Sequence, residues 1–113
     1  MSRLDSMLRR FTAQRDGLNW AAGQIADVTG DVLDLGLGNG RTYDHLREIL
    51  PDRRIWVIDR VLQCHPSCKP PPEDFLMGEA KPMLDALHAK GLTTSSATAP
   101  LLVKLIETYS MAD

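Results

Sequence analysis

The sequence contains little cysteine, few aromatic residues and no long hydrophobic run. Its two cysteines, Cys64 and Cys68, are too few for a disulfide framework and favour a reducing cytoplasm. No apolar stretch approaches the roughly eighteen residues that a membrane-spanning helix needs. The first residues, MSRLDSMLRRF, are charged and lack the apolar segment of a signal peptide. We therefore expect a cytoplasmic protein that does not associate with membranes.

A large excess of one charge is also missing. The 113 residues include 13 lysines and arginines and 15 aspartates and glutamates, which leaves a formal net charge of −2 at pH 7. Proteins that bind nucleic acid usually carry a positive excess, so this balance argues against nucleic acid as a partner. The length suits one domain. We expect a helical N-terminus over 1–30, an α/β core over 31–91 and a helix over 92–113.

Two helices are predicted in the N-terminal part. The first spans residues 3 to 15 and carries apolar residues at helical spacing: Leu4, Met7, Leu8 and Phe11. Gly17 interrupts this pattern. A second helix follows, with an apolar stripe made of Leu18, Ala21, Ala22 and Ile25. Trp20 lies beside this stripe and is expected in the core.

Residues 32 to 59 have the pattern of one β-α-β unit. Val32 to Leu35 is a short, mostly apolar run, as in a parallel strand that is covered on both faces. A helical pattern follows from Arg41 to Leu50, and a second apolar strand follows from Ile55 to Ile58. Asp59 closes this strand. The two strands are expected to be parallel, with a right-handed crossover between them.

The remaining residues give weaker signals. Residues 63 to 74 are rich in proline and predict a loop, and Phe75 to Met77 predicts a short third strand. A helix is expected to begin at Pro82 and to end at Gly91. Residues 101 to 111 favour a last helix, and the alternative makes residues 101 to 106 a strand.

The most informative stretch is VLDLGLGNGRTYDHL, in which Gly36, Gly38 and Gly40 occupy alternate positions. Glycine at a strand-to-helix turn lets a ligand approach the backbone closely, because a Cβ would push it away. The nicotinamide fingerprint needs glycine where Arg41 stands, and the P-loop needs a Gly-Lys-Ser/Thr ending that is missing. What the stretch does contain is an acidic residue, Asp34, followed by the three alternating glycines.

A metal site is not expected. Cys64, His65 and Cys68 lie close together in the sequence, but structural zinc needs four ligands, usually in two spaced pairs. A second pair is missing. The proline-rich stretch is therefore expected to be a solvent-facing loop that carries two thiols.

The stretch from Val32 to Tyr43 resembles the first motif of class I S-adenosylmethionine-dependent methyltransferases. The resemblance continues through Asp59 after the second strand, and through Gly78 and Glu79 after the third. Up to about residue 87 the chain is also similar to a bacterial group of this family with an ELGLGNGRTYHHL-like turn. The resemblance implies a Rossmann-like αβα fold with a parallel sheet and S-adenosyl-L-methionine as the cofactor. It leaves the methyl acceptor and the catalytic residues open.

The resemblance also implies roles for individual residues. In the family, the glycine turn passes under the cofactor, an acid after the second strand binds the ribose hydroxyls, and an acid after the third holds the adenine amino group. By position, Asp59 would bind the ribose and Glu79, where aspartate is usual, the adenine. Asp34 would orient the turn or the amino group of the cofactor. The implied cofactor-binding set is Asp34, Gly36, Leu37, Gly38, Asn39, Gly40, Thr42, Asp59, Arg60, Gly78 and Glu79.

Elementary chemistry agrees with these roles. Free N–H groups at the start of the helix after the turn attract a carboxylate, an effect of roughly 0.3–1 kcal/mol each. A carboxylate at Asp59 would accept charge-assisted hydrogen bonds from ribose hydroxyls, on the order of 1.5–3 kcal/mol each.

The resemblance covers only the first half of the family fold. In the full fold the strand from Val32 to Leu35 has a neighbour on each side, and an open apolar edge favours pairing with another chain. We therefore expect a homodimer. Two functions stay open: an S-adenosylmethionine-dependent methyltransferase, whole or shortened, and a non-catalytic S-adenosylmethionine-binding or interaction module. A nicotinamide-dependent oxidoreductase is a distant third because of Arg41.

Overall fold

The structure is a computed structural model, and it describes residues 1 to 89. The elements in chain order are helix α1 (Arg3–Gln24), strand β1 (Val32–Leu35), helix α2 (Arg41–Ile49), strand β2 (Ile55–Asp59), strand β3 (Phe75–Met77) and helix α3 (Ala80–Ala89). Short 3-10 turns lie at Pro66–Cys68 and Pro72–Asp74. The predicted helix end at Gly91, the last helix and its alternative strand lie outside the described residues.

The three strands form one parallel sheet in the order β1-β2-β3. Asp34 of β1 lies opposite Val57 of β2, and Ile58 of β2 lies opposite Leu76 of β3. Parallel pairing brings the carboxyl ends of all three strands to one edge of the sheet. Within the described residues β1 has a strand neighbour on one side alone, which is the feature on which the dimer prediction depends.

Helices cover both faces of the sheet and make three layers. Alternate residues of a strand point to opposite faces, so Val32 and Leu33 enter different cores. Val32 packs with residues of α1 and α2, among them Leu18 and Leu46. Leu33 packs with Leu87 of α3 on the other face. These layers confirm the predicted Rossmann-like α/β arrangement.

The N-terminal part is one helix, so the prediction of a break at Gly17 is wrong. Ser2 caps α1 in a capping box with Asp5. A glycine inside a helix costs about 1 kcal/mol, and the burial of Leu18 and Ala21 within the following turn outweighs that cost. Packing of the neighbouring residues therefore outweighs the low helix propensity of Gly17.

The guanidinium of Arg53 fixes the segment between α1 and β1. It donates to the carbonyls of Ile25, Val28 and Gly30, at 2.5 Å for Ile25 and 2.9 Å for Gly30. These carbonyls lie beyond the end of α1, where the regular hydrogen bonds of the helix stop. A single side chain from the loop before β2 thus ties the end of α1 to the sheet.

One expectation about the hydrophobic residues of α1 is wrong. Trp20 was expected in the core, but 62% of its surface is exposed. Leu4 and Leu8 are also mostly exposed, whereas Leu18 and Ala21 are buried as predicted. The sheet is short and meets only the second half of a 22-residue helix, so apolar spacing in the first half faces away from it.

The proline-rich segment is more ordered and more buried than a solvent-facing loop. Cys68 is buried at the end of the first 3-10 turn, and Cys64 is half-buried just before that turn. Both cysteines pack against Gly40 at the start of α2. The helix predicted to begin at Pro82 begins two residues earlier, because proline is tolerated anywhere in the first turn. No helix within residues 1 to 89 is long and apolar enough to cross a bilayer.

Candidate functional site

The bend between β1 and α2 is built from glycines in left-handed backbone conformations. Gly36, Gly38 and Gly40 have φ angles of +87°, +56° and +91°. A side chain destabilises these conformations, so the bend requires glycine at all three positions. The chain turns sharply after β1 and enters α2 with its first N–H groups at the carboxyl edge of the sheet.

One side of this bend is open and the other is packed. A Cβ added to Gly36 or Gly38 would meet no atom of the described residues within 4 Å. A Cβ added to Gly40 would lie 2.6 Å from the Cβ of Cys68. Gly36 and Gly38 therefore leave space for a ligand, whereas Gly40 is needed for contact with the proline-rich segment.

Asp59 lies at the end of β2 and its carboxylate reaches the bend. Its Oδ2 accepts a hydrogen bond from the backbone N–H of Gly38 at 3.1 Å, and its Oδ1 accepts one from the N–H of Arg60 at 2.7 Å. The N–H of Gly36 donates to the carbonyl of Ile58 at 2.8 Å, which continues the strand pairing into the bend. The side chain of Asp59 is half-buried, so part of it is accessible from solvent.

Asp34 is fully buried in β1, two residues before the bend. Neither of its carboxylate oxygens has a hydrogen-bond partner among residues 1 to 89. Burial, and secondarily the nearby charge of Asp59, raises the pKa of Asp34 to about 7. A buried carboxyl group with no hydrogen-bond partner among the described residues is costly to the folded state.

The residues after β2 and β3 extend the same edge. The N–H of Gly78 donates to the carbonyl of Asp59 at 2.9 Å. Arg60 and Glu79 are exposed and form an ion pair whose Nη1 and Oε1 atoms lie 3.8 Å apart. The structure thus brings Arg60, Gly78 and Glu79 together beside Asp59.

Three other residues of the implied set contribute in different ways. Leu37 and Thr42 are buried, and Leu37 belongs to the core between the sheet, α1 and α2. Their side chains therefore shape the bend from inside the protein. Asn39 is exposed, and its Oδ1 accepts a hydrogen bond from the N–H of Arg41 at 3.2 Å, which closes the start of α2.

Sequence reasoning missed the contribution of the proline-rich segment to the bend. The N–H of His65 donates to the carbonyl of Asn39 at 3.1 Å, and both cysteines contact Gly40. The only sign of this contact in the sequence was the spacing of Cys64 and Cys68, and on its own that spacing is equally compatible with an ordinary loop. No group of three or more potential metal ligands occurs within the described part of the chain.

A groove of about 530 Å³ lies elsewhere on the molecule, and it contains none of the implied residues. It runs along the second half of α1 and is lined by Asn19, Gly23, Leu50 and Arg53, among others. These residues lie toward the amino ends of the strands. Ligands of open parallel sheets bind at the carboxyl ends, so the glycine bend is the better candidate site.

Two comparisons with known proteins agree on one family. A family model described as S-adenosyl-L-methionine methyltransferase matches residues 1–107. The chain belongs to this family. It is also similar to the crystal structure of an S-adenosyl-L-methionine methyl transferase from Silicibacter pomeroyi DSS-3, with 40% sequence identity and a TM-score of 0.71.

The match to this methyltransferase covers 80% of the chain and 56% of the Silicibacter protein. The chain therefore spans little more than half the length of that relative. No curated protein matches the chain. Membership of the S-adenosyl-L-methionine methyltransferase family agrees with the resemblance that the glycine motif carries.

Proposed function

We propose that this chain binds S-adenosyl-L-methionine at the glycine bend and acts as a methyltransferase on an acceptor that is not yet identified. The observation that carries the proposal is the position of the Asp59 carboxylate beside the open side of the bend. Family membership supports the cofactor class. The position of Asp59 supports the glycine bend as the place where the cofactor binds.

The open side of the bend suits the cofactor's methionine part. Gly36 and Gly38 present bare backbone to space that a Cβ would otherwise occupy. The N–H groups at the start of α2 and the dipole of that helix favour a carboxylate. The methionine part of S-adenosyl-L-methionine carries such a carboxylate.

Asp59 suits the ribose. An ionised carboxylate offers about four lone-pair sites, and two are used by the N–H groups of Gly38 and Arg60. The remaining sites are available to the two ribose hydroxyls. A negative charge at this position also disfavours a phosphorylated ribose, so nucleotides with a ribose phosphate should bind less well.

Asp34 would act on the ligand through its charge and not by direct contact, because it is fully buried. A cationic ligand on the bend would favour the ionised form of Asp34, whose pKa is raised to about 7 by burial in the ligand-free protein. Glu79 is exposed beyond β3 and is the proposed partner of the adenine amino group. Arg60 would position Glu79 through their ion pair.

The bound cofactor supplies a methyl group on a positively charged sulfur that an acceptor can displace directly. The part of the protein proposed here binds the cofactor and orients it by the bend and Asp59. None of the described residues is assigned as a general base, since a base is needed only where the acceptor must lose a proton.

A cofactor-binding module without turnover is the second candidate. The observation that favours it is that the similarity covers 56% of the Silicibacter protein, so the match leaves part of that protein without a counterpart. The two candidates share the cofactor site and differ in whether a methyl group is transferred.

Isothermal titration calorimetry tests the cofactor site. We expect S-adenosyl-L-methionine and its demethylated product to bind with dissociation constants on the order of micromolar, and NAD⁺ to give no heat. Absence of heat with both sulfur ligands, for protein shown to be folded by circular dichroism, would reject the proposal. Transfer of label from methyl-labelled cofactor to fractionated acceptors then separates the enzyme from the module.

A further inference from the structure

The side chains of Cys64 and Cys68 both approach Gly40 at the end of the glycine bend. A Cβ on Gly40 would lie 2.6 Å from the Cβ of Cys68 and 3.1 Å from the Cβ of Cys64. The two cysteine Cβ atoms are therefore closer to each other than the sum of these distances. A disulfide joins Cβ atoms roughly 3.5–4.5 Å apart, so a small displacement of the segment is sufficient to form one.

The two thiols differ in accessibility. Both are free, Cys64 is half-buried and Cys68 is buried. The buried thiol is held in the 3-10 turn, where the N–H of Cys68 donates to the carbonyl of His65 at 2.8 Å. An oxidant in solution therefore reaches Cys64 first, and Cys68 is in place to react with the oxidised sulfur.

We propose that Cys64 and Cys68 form a reversible disulfide when a peroxide is present, and that this disulfide loosens the glycine bend. The sulfur of Cys64 attacks one peroxide oxygen, the O–O bond breaks, and a sulfenic acid and one water form. The sulfur of Cys68 then attacks the sulfur of Cys64, and a second water leaves as the S–S bond forms. Two thiols are oxidised and one peroxide is reduced to two waters.

The disulfide reaches the bend through His65. Cys68 is buried against Gly40, so joining the two sulfurs moves mainly Cys64 and its neighbour. The N–H of His65 donates to the carbonyl of Asn39 at 3.1 Å, and Asn39 lies between the last two glycines of the bend. Movement of His65 weakens this hydrogen bond and releases the bend from the proline-rich segment.

The consequence for ligand binding rests on the proposed function. A loosened bend must be ordered again when the cofactor binds, so the oxidised protein binds it more weakly. We expect a loss of about fivefold in affinity, at the lower end of typical couplings between two sites. Reduction with dithiothreitol should restore the affinity of the untreated protein.

Mass spectrometry of the full chain tests the disulfide itself. After treatment with hydrogen peroxide we expect the loss of two hydrogen atoms from the intact mass, and a peptide in which Cys64 and Cys68 are linked. The Cys64→Ser variant should show no such loss. Stepwise oxidation of Cys64 to the sulfinic acid without a link, or a disulfide between two chains, would overturn the proposal.

Hydrogen exchange tests the effect on the bend without any cofactor. The amide of His65 should exchange faster in the oxidised wild type than in the reduced protein, and peroxide should leave the Cys64→Ser variant unchanged. A disulfide that leaves this exchange rate unchanged would refute the switch. These readouts are independent of S-adenosyl-L-methionine, so they stay decisive if calorimetry rejects the cofactor proposal.

Discussion

The carboxylate of Asp59 accepts a hydrogen bond from the backbone N–H of Gly38 at 3.1 Å, across 21 positions of the chain. The parallel pairing of β1 and β2 brings their carboxyl ends to one edge, which places the acid beside the bend. This contact links the two sequence features that indicated a cofactor site. It also means that Asp59 shapes the bend, in addition to the ribose-binding role that we propose for it.

Replacement of Asp59 should weaken cofactor binding. Asp59→Asn retains an oxygen that can accept from Gly38 but loses the charge. We expect S-adenosyl-L-methionine to bind about 10- to 100-fold more weakly, as follows from the roughly 1.5–3 kcal/mol of a hydrogen bond to a charged group. Calorimetry measures the change.

A matched control is available at the other edge of the sheet. Asp52 is exposed and precedes β2, whereas Asp59 ends it. Asp52→Asn removes the same charge and should leave the dissociation constant unchanged within about twofold. Equal losses for Asp52→Asn and Asp59→Asn would show that general charge, and not a contact at the bend, governs binding.

Alanine at two of the bend glycines should separate binding from stability. Gly38→Ala places a Cβ in open space with a φ of +56°, so it costs about 1–2 kcal/mol of stability and obstructs the ligand. Gly40→Ala adds a clash with the Cβ of Cys68 at 2.6 Å and should unfold at lower urea concentration. Equal urea midpoints for the two variants would contradict the packed environment of Gly40.

The buried Asp34 should make stability depend on pH. Its pKa is raised from 3.8 to about 7 in the folded protein, so between these values the folded state holds a proton that the unfolded state has lost. The free energy of unfolding should therefore fall as pH rises through this window, by at most about 1.4 kcal/mol per pH unit, and level off above it.

The variant Asp34→Asn tests this pH dependence because it cannot ionise. Urea denaturation of both proteins between pH 5 and 8 is the measurement, at values chosen within and above the window. All other ionisable groups are common to the two proteins, so the difference between their curves isolates Asp34. Parallel curves would show that Asp34 is ionised in the folded state over the whole range.

Two neighbouring residues of α1 should differ strongly in their effect on stability. Leu18 is 4% exposed and Leu18→Ala should cost about 2–5 kcal/mol, as for other buried leucines. Trp20 is 62% exposed and Trp20→Ala should change stability by no more than about 0.5 kcal/mol. Urea midpoints measure both, and a large loss for Trp20→Ala would place that side chain in an interface.

The β-α-β unit was predictable because its signals are local. Buried parallel strands are continuously apolar, and β1 and β2 have this pattern within one residue of their observed ends. The alternating glycines indicated a turn with an accessible backbone, because glycine has no Cβ. The role of the acid at position 59 came from the family resemblance, and its place beside the bend agrees with the rule that consecutive parallel strands end at the same edge.

Other features depended on contacts between residues distant in the sequence. Whether Gly17 breaks a helix is decided by the core that Leu18 and Ala21 meet, and Trp20 is exposed because it lies on the opposite face of the same helix. The alternating pattern of glycines likewise concealed that Gly36 and Gly38 face open space while Gly40 faces two cysteines.

The order of residues along the chain was thus sufficient to predict the strands, the turn and the presence of an acid after the second strand. Each of these features depends on its immediate neighbours. The order of residues was not sufficient to predict that Asp34 is buried without a hydrogen-bond partner among residues 1 to 89, or that two cysteines pack against Gly40. Those features arise where separate segments pack together, and packing distances are a property of the folded molecule.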